Sequence, residues 1–278
     1  MLAAGLITFR EGLEAALIIG IVIGYLVKFE QHTQLRFAWA GILAAIVVSI
    51  AAAFGLQFIG ASLETPYEQI FEGSMMLLAV LILTWMIFWM RYQGRFIKRE
   101  LEHKVQTTLA SGATLGIFGL AFVAVFREGI ETALFLSASA FANDGTATLI
   151  GSLVGLTLAV GVGCAVYVMS LRLNLRWFFD VTSVLLLIFA AGLFAHGIHE
   201  FQEIGWLPIL TQQAWNLQTV LPNSSTIGSI LRAMVGYNDS PSLLETVGYI
   251  FYWAVILLSI RWWTQRLNMR VAPGQAQA

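Results

Sequence analysis

Seven runs of apolar residues divide this chain, at about 4–27, 37–59, 70–90, 114–139, 149–171, 181–199 and 246–263. Each is close to the ~20 residues that cross a hydrocarbon core as a helix. A bilayer offers no water to backbone N–H and C=O groups, so helices rather than open strands are predicted. The runs are separated by polar punctuation, and the longest separation covers 200–245. Its Gly, Pro, Asn and Ser residues, as in "LPNSSTIGSILRAMVGYNDSPSLLE", predict short helices over one mouth of a bundle.

Composition agrees with this pattern. Of 278 residues, 58% are hydrophobic and 11% charged, against the ~25% charged residues of soluble domains. Mean hydropathy is +0.79. The net charge of −1 gives no reason to expect a nucleic-acid partner. Cys164 is the one cysteine, so no intramolecular disulfide forms. The N-terminus lacks the basic start of a signal peptide and reads as a retained first span. No nucleotide-binding P-loop occurs, so nothing in the sequence points to ATP-driven work by this chain.

Basic residues set the orientation. Lys28, Arg36, Arg91, Arg95, Lys98, Arg99, Lys104, Arg172, Arg176, Arg261, Arg266 and Arg270 fall on one side of the predicted spans, and only Arg232 on the other. The positive-inside rule then places the N-terminus outside and the C-terminus in the cytoplasm. Trp85, Trp89, Trp177, Trp262 and Trp263 lie near span ends, as interfacial aromatics do. Asn223 and Asn238 each open an N-x-S sequon, and chance is the favoured explanation.

The charged residues inside two spans change the picture most. "FREGLEAAL" at 9–17 returns as "FREGIETAL" at 126–134. A weaker echo links "FEGSMMLLAVLIL", with Glu72, to "FDVTSVLLLIFAA", with Asp180. Spans 1–3 and 4–6 thus read as repeats, and an odd number of spans makes the two copies face opposite ways. The expected fold is all-α: a polytopic membrane protein of seven transmembrane helices, two inverted three-helix repeats plus one extra helix. One transmembrane domain would cover 1–265, with repeat one at about 1–92, repeat two at about 113–200, an outer loop at about 200–245 and the seventh helix at about 246–263. Residues 266–278 read as a disordered cytoplasmic tail.

On a helix advancing 100° per residue, Arg10, Glu11 and Glu14 share one face, as do Arg127, Glu128 and Glu131. Each buried charge costs ~2.5–3.5 kcal/mol unless it is paired or hydrated. Two arginines against four glutamates leave a negative excess. Interhelical ion-pair glue should balance its charges, so the excess favours a site for a multivalent cation with hard oxygen ligands. Glu11, Glu14, Glu128 and Glu131 are the candidate ligands, with Arg10 and Arg127 beside them. Glu68 and Glu72 would offer an acidic outer vestibule, and Asp180 a ligand at the cytoplasmic end. "HGIHEFQE" adds His196, His199, Glu200 and Glu203 at the outer end of span 6. It is not H-E-x-x-H, so a zinc-protease reading fails on order. Polar groups at a membrane interface are the favoured reading there, with His199 and Glu203 kept as outer metal-collecting candidates. No nucleophile or histidine sits near mid-span, which disfavours an enzyme. Gly12, Ala16, Gly20 and Gly24, then Gly129, Ala133 and Ser137, then Gly151, Gly155, Ala159 and Gly163 form small-residue stripes for close helix contact. Met75, Met76, Met86 and Met90 read as packing residues.

The two R-E-G-[LI]-E motifs, in the first and fourth of seven spans, resemble those of the oxidase-dependent iron transporter family. That family includes the fungal high-affinity iron permeases and the bacterial EfeU-type iron permeases. "FEGSMMLLAVLILTWMIFWMR", "RLNLRWFF" and the "GYNDSP" region carry the same resemblance, which spans about residues 1–265. It implies an iron permease of the plasma or bacterial inner membrane in which the motif glutamates bind iron in transit. It implies iron crossing as Fe(III), delivered as such or as Fe(II) and oxidised, and an extracytoplasmic iron oxidase or iron-binding protein as partner. Iron would be cargo, with no permanently bound cofactor. The residues alone leave another cation, lead or manganese, open, and a homo-oligomer open as well.

Overall fold

A computed structural model describes residues 1–93, 97–110, 114–169 and 175–271, without the side chains at 91–93, 97–99, 110, 114, 166–169, 175, 176 and 263–271. Part of the orientation and belt argument rests on Arg95 and Arg172, which lie outside the described residues, and on Arg91, Lys98, Arg99, Arg176, Trp263, Arg266 and Arg270, of which only the backbone is described. Among the described residues there are nine helices: α1 (Leu2–Lys28), α2 (His32–Ser62), α3 (Tyr67–Gln93), α4 (Ile97–Ala110), α5 (Thr114–Ala142), α6 (Gly145–Met169), α7 (Leu175–Glu203), α8 (Thr226–Val235) and α9 (Leu243–Val271). No strand is present among them, only an isolated bridge between Gln213 and Ser242.

Each predicted apolar run coincides with one long helix. Five of these, α2, α3, α6, α7 and α9, are long and apolar enough to cross a membrane on length and composition alone. α1 and α5, at 27 and 29 residues, match them in length. The charges at Arg10, Glu11 and Glu14, and at Arg127, Glu128 and Glu131, interrupt their apolar character. The backbone of α9 stays helical to Val271, beyond the start of the tail expected at 266.

The stretch between the third and fourth runs is a further helix rather than a loop. α4 shows Leu101, Val105 and Leu109 at every fourth position, an apolar stripe along an otherwise polar helix. Val105 is fully buried in a cluster with Val22 and Leu26 of α1, Ala38 and Ile42 of α2, and Ile117 and Ala121 of α5.

α1 and α5 run antiparallel. The C-terminal half of α1 shares that cluster with the N-terminal half of α5. The N-terminal half of α1, through Ala3 and Ile7, shares the main core with Phe135, Ala138 and Ala142 near the end of α5. The same core takes in Met76, Leu83 and Met86 of α3 and Leu186, Ala190 and Leu193 of α7. α1 lies along α6, α2 along α5, and α3 along α7.

Small residues set the α1–α6 contact. A Cβ on Gly12 would stand 2.7 Å from the Cβ of Ala159, and one on Gly163 2.8 Å from that of Ala16. Gly5 meets the Gly151 carbonyl in the same way. The stripe therefore works as expected on α1 at Gly12 and Ala16. Gly20 and Gly24 meet no other helix within 4 Å and stand outside this contact. On α5, Gly129 abuts Ser49 of α2.

α8 folds back onto the bundle. Its C-cap Gly236 has φ 71°, a conformation that favours glycine. A Cβ on Gly192 of α7 would sit 2.5 Å from the Gly236 Cα, so the two backbones touch. Side-chain hydrogen bonds then fix the segment. Asn223 Nδ2 donates to Asn238 Oδ1, Asn238 Nδ2 donates to Glu245 Oε2, and the amide of Asn223 donates to Asp239 Oδ2. Both sequon asparagines are thus spent on this lattice.

Candidate cation site

The antiparallel crossing of α1 and α5 brings the two motif copies face to face. Carboxylate oxygens of Glu11, Glu128 and Glu131 all lie within 4.8 Å of one another. Glu11 is fully buried, Glu128 is 4% exposed, and Glu131 is partly buried. A point enclosed by three atoms no more than 4.8 Å apart can lie within about 2.8 Å of each (4.8 Å divided by √3), a few tenths beyond hard-cation–oxygen bonds of ~2.0–2.6 Å. Glu11 Oε2, Glu128 Oε2 and Glu131 Oε2 are buried with no hydrogen-bond partner. Orphaned carboxylate oxygens are costly in such surroundings, and a cation would satisfy them.

Two arginines stand on this cluster in different ways. Arg10 is fully buried. Its Nη1 donates to Glu11 Oε1 at 2.7 Å and to Met86 Sδ at 3.3 Å. Its Nη2 donates to Met90 Sδ at 3.3 Å and lies 3.1 Å from Glu14 Oε1. The contact to Glu14 has ion-pair distance without hydrogen-bond alignment, which is why that oxygen also stays unpaired. The guanidinium lies 5.9 Å from the Phe179 ring centroid. Arg127 is 52% exposed. Its Nε donates to Glu131 Oε1 at 3.1 Å and stands 3.9 Å from Glu128 Oε1.

Of the four predicted ligands, the structure gathers Glu11, Glu128 and Glu131. Glu14 sits one turn along α1, 8% exposed, against Arg10. Asp180 is exposed near the start of α7, next to Phe179, and does not join the three.

The outer candidates gather where the start of α3 meets the end of α7. Glu68 and Glu72 are partly buried there, and the Glu200 Cβ lies 3.1 Å from where a Cβ on Gly73, beside Glu72, would stand. His199 is bound on both nitrogens, Nδ1 to Glu245 Oε1 at 2.9 Å and Nε2 to Glu203 Oε1 at 3.2 Å. His196 is buried, with Nδ1 against the Gly192 carbonyl at 3.1 Å.

Sequence reasoning missed three things here. Glu245, 3% exposed, is the anchor of His199. Met86 and Met90 are hydrogen-bond acceptors for Arg10 as well as core residues. Phe179 flanks that same arginine. The i,i+4 spacing of Met86 and Met90 was the available signal, since it puts both sulfurs on one face of α3.

Residues 1–270 match the description "Iron permease FTR1 family". The chain belongs to the iron permease FTR1 family. Proteins named ferrous iron permease EfeU are similar to it. That of Yersinia pestis is 36% identical over 249 residues, covering 89% of this chain and 88% of its own. That of Yersinia pseudotuberculosis is also 36% identical, over 89% and 87%. That of Escherichia coli O6:H1 is 34% identical, over 89% and 90%. No solved structure matches the chain. Membership of this permease family, with five apolar helices of spanning length, makes it a multi-pass membrane protein.

Proposed function

We propose that this chain carries iron from the outside into the cytoplasm through the carboxylates at the α1–α5 crossing. The observation that carries the reading is the convergence of Glu11, Glu128 and Glu131, drawn from both motif copies, each with a buried unpaired oxygen. Hard oxygen donors with a negative excess suit iron and disfavour soft cations. Glu14, held at the edge by Arg10, is a fourth ligand that joins when iron displaces that contact.

Helix pairing supports an inverted-repeat plan. Exchanging α1, α2 and α3 with α5, α6 and α7 turns the α1–α6 contact into the α5–α2 contact, and returns α1–α5 and α3–α7 to themselves. On this plan α1, α2, α3, α5, α6, α7 and α9 all cross the membrane, and the cation site lies at the repeat interface. The excess of basic residues puts the N-terminus outside. A membrane potential negative inside then favours entry by about 2.3 kcal/mol per charge per 100 mV. Glu68, Glu72, His199 and Glu203 form the outer approach, Asp180 belongs to the exit, and an extracytoplasmic oxidase or iron-binding protein delivers the ion.

Proteoliposome uptake tests this. Fe(II) kept reduced with ascorbate and Fe(III)-citrate are offered separately, with Mn(II) and Pb(II) as competitors. The relatives' name favours Fe(II) as the form received; uptake of Fe(III) alone would restore the ferric expectation. Stronger uptake of Mn(II) or Pb(II) than of either iron form would reassign the cargo. Glu131→Gln should abolish uptake in a correctly inserted protein, and wild-type uptake in that variant removes the proposed site.

A further inference from the structure

We propose that Met86 and Met90 are positioning residues for cation binding: two thioether acceptors that hold the Arg10 guanidinium so that Glu11 keeps one oxygen free toward Glu128 and Glu131. The proposal rests on the iron-permease reading of the site.

The geometry starts from the five N–H donors of a guanidinium. In Arg10 one goes to Glu11 and two go to the sulfurs of Met86 and Met90, both at 3.3 Å. The side chain is fully buried, so no water competes for these donors. Nε is already buried without an acceptor, so losing both sulfurs would leave the guanidinium still further short of partners, which is expensive. Unpaired acceptors on the same motif are Glu11 Oε2 and Glu14 Oε1, the latter 3.1 Å from Nη2. An arginine that takes both oxygens of one carboxylate makes a forked, strong pair. Such a fork on Glu11 would withdraw it from the three-carboxylate cluster. The thioethers prevent this because they accept weakly and carry no charge. They occupy two donors, fix the direction of the guanidinium, and leave its positive charge undiminished. A carboxylate at either position would neutralise the arginine.

The second motif copy shows the same motif without this device. Aligning Phe71 with Phe179, as the two third spans of the repeats pair, sets Met86 opposite Phe194 and Met90 opposite Ile198. Neither offers an acceptor, and both are used against α9: Phe194 lies 6.0 Å from the Tyr252 ring centroid, and Ile198 meets Gly248. Arg127 correspondingly is half-exposed and rests on Glu131. One arginine is held by sulfur, and the other is left to move when a cation arrives.

The experiment compares wild type with Met86→Leu/Met90→Leu, which keeps apolar volume and removes both acceptors. The readouts are proteoliposome uptake of ascorbate-reduced Fe(II), equilibrium Fe(II) binding to the solubilised protein, and thermal melting. The expected result is a KM and a Kd raised about tenfold, with the maximal rate per inserted molecule and the melting temperature little changed. Met86→Gln/Met90→Gln restores an acceptor and should return both constants toward wild type. Wild-type constants in the leucine variant overturn the proposal, as does a glutamine variant as impaired as the leucine one. Should the double variant fail to insert, Met86→Leu and Met90→Leu alone must each raise KM several-fold, and unchanged values in both overturn it. A wild-type protein that takes up no iron defeats the permease reading instead, and the binding measurement still decides the role of the sulfurs.

Discussion

Removing the arginine from one motif copy should harm the protein far more than removing it from the other, although the motifs are nearly identical. Arg10 and Glu11 are fully buried, and Glu14 is 8% exposed. Arg10→Ala strands two buried carboxylates beside Glu128 and Glu131. Breaking a buried ion pair by deleting one partner costs about 3–5 kcal/mol. The Arg127 side chain is 52% exposed; on the proposed reading that exposed part faces the cation's aqueous route, where water is its alternative partner. An exposed pair contributes only about 0–1 kcal/mol. At about 2 °C per kcal/mol for a chain of this length, Arg10→Ala should melt roughly 6–10 °C below wild type in detergent, and Arg127→Ala within about 2 °C. Adding Glu11→Gln to Arg10→Ala should recover part of the loss, because one stranded charge is gone. Equal melting losses for the two arginine variants, or a stable Arg10→Ala, would refute the claim that burial separates the two copies.

Gly12→Val should force α1 from α6, because even a Cβ there lies 2.7 Å from the Ala159 Cβ. A loss of about 1–3 kcal/mol is expected, while Gly20→Ala, with nothing within 4 Å, should melt like wild type. Val105→Asp places a charge in a closed apolar cluster and should lower expression and melting by at least ~3 kcal/mol; Thr107→Asp on the exposed face should not. Asn238→Ala removes a donor to Glu245, which is 3% exposed. It should cost about 1–3 kcal/mol, seen as faster proteolysis of the 204–242 segment in intact vesicles.

How legible the molecule is from its sequence depends on which physical signal each part uses. The long helices follow from apolar runs, because the bilayer forces length and hydrophobicity together. The meeting of Glu11 with Glu128 and Glu131 was foreshadowed by the doubled motif and the odd span count. The unequal surroundings of Arg10 and Arg127 were not, since they depend on which helix lies next to each motif. Helix α4 was hidden because "IKRELEHKVQTTLA" is polar on average, and its Leu101, Val105 and Leu109 stripe matters only against α1, α2 and α5. In sequence, His199 and Glu203 read as interfacial polar groups, kept as metal-collecting candidates. The tie of His199 to Glu245 spans 46 residues, a separation that no local pattern reveals.

The seat of Val105 on Val22, Leu26 and Ile117 has a kinetic consequence. These apolar side chains fill the α1–α5 contact on the Lys28 side of the carboxylates; on the proposed reading, an ion held there would meet oil rather than water on that side. A conduit stoppered at one end is no open channel. Passage by that route would wait for the stopper to lift and reseat, so throughput would saturate at the pace of that movement and not at the pace of diffusion.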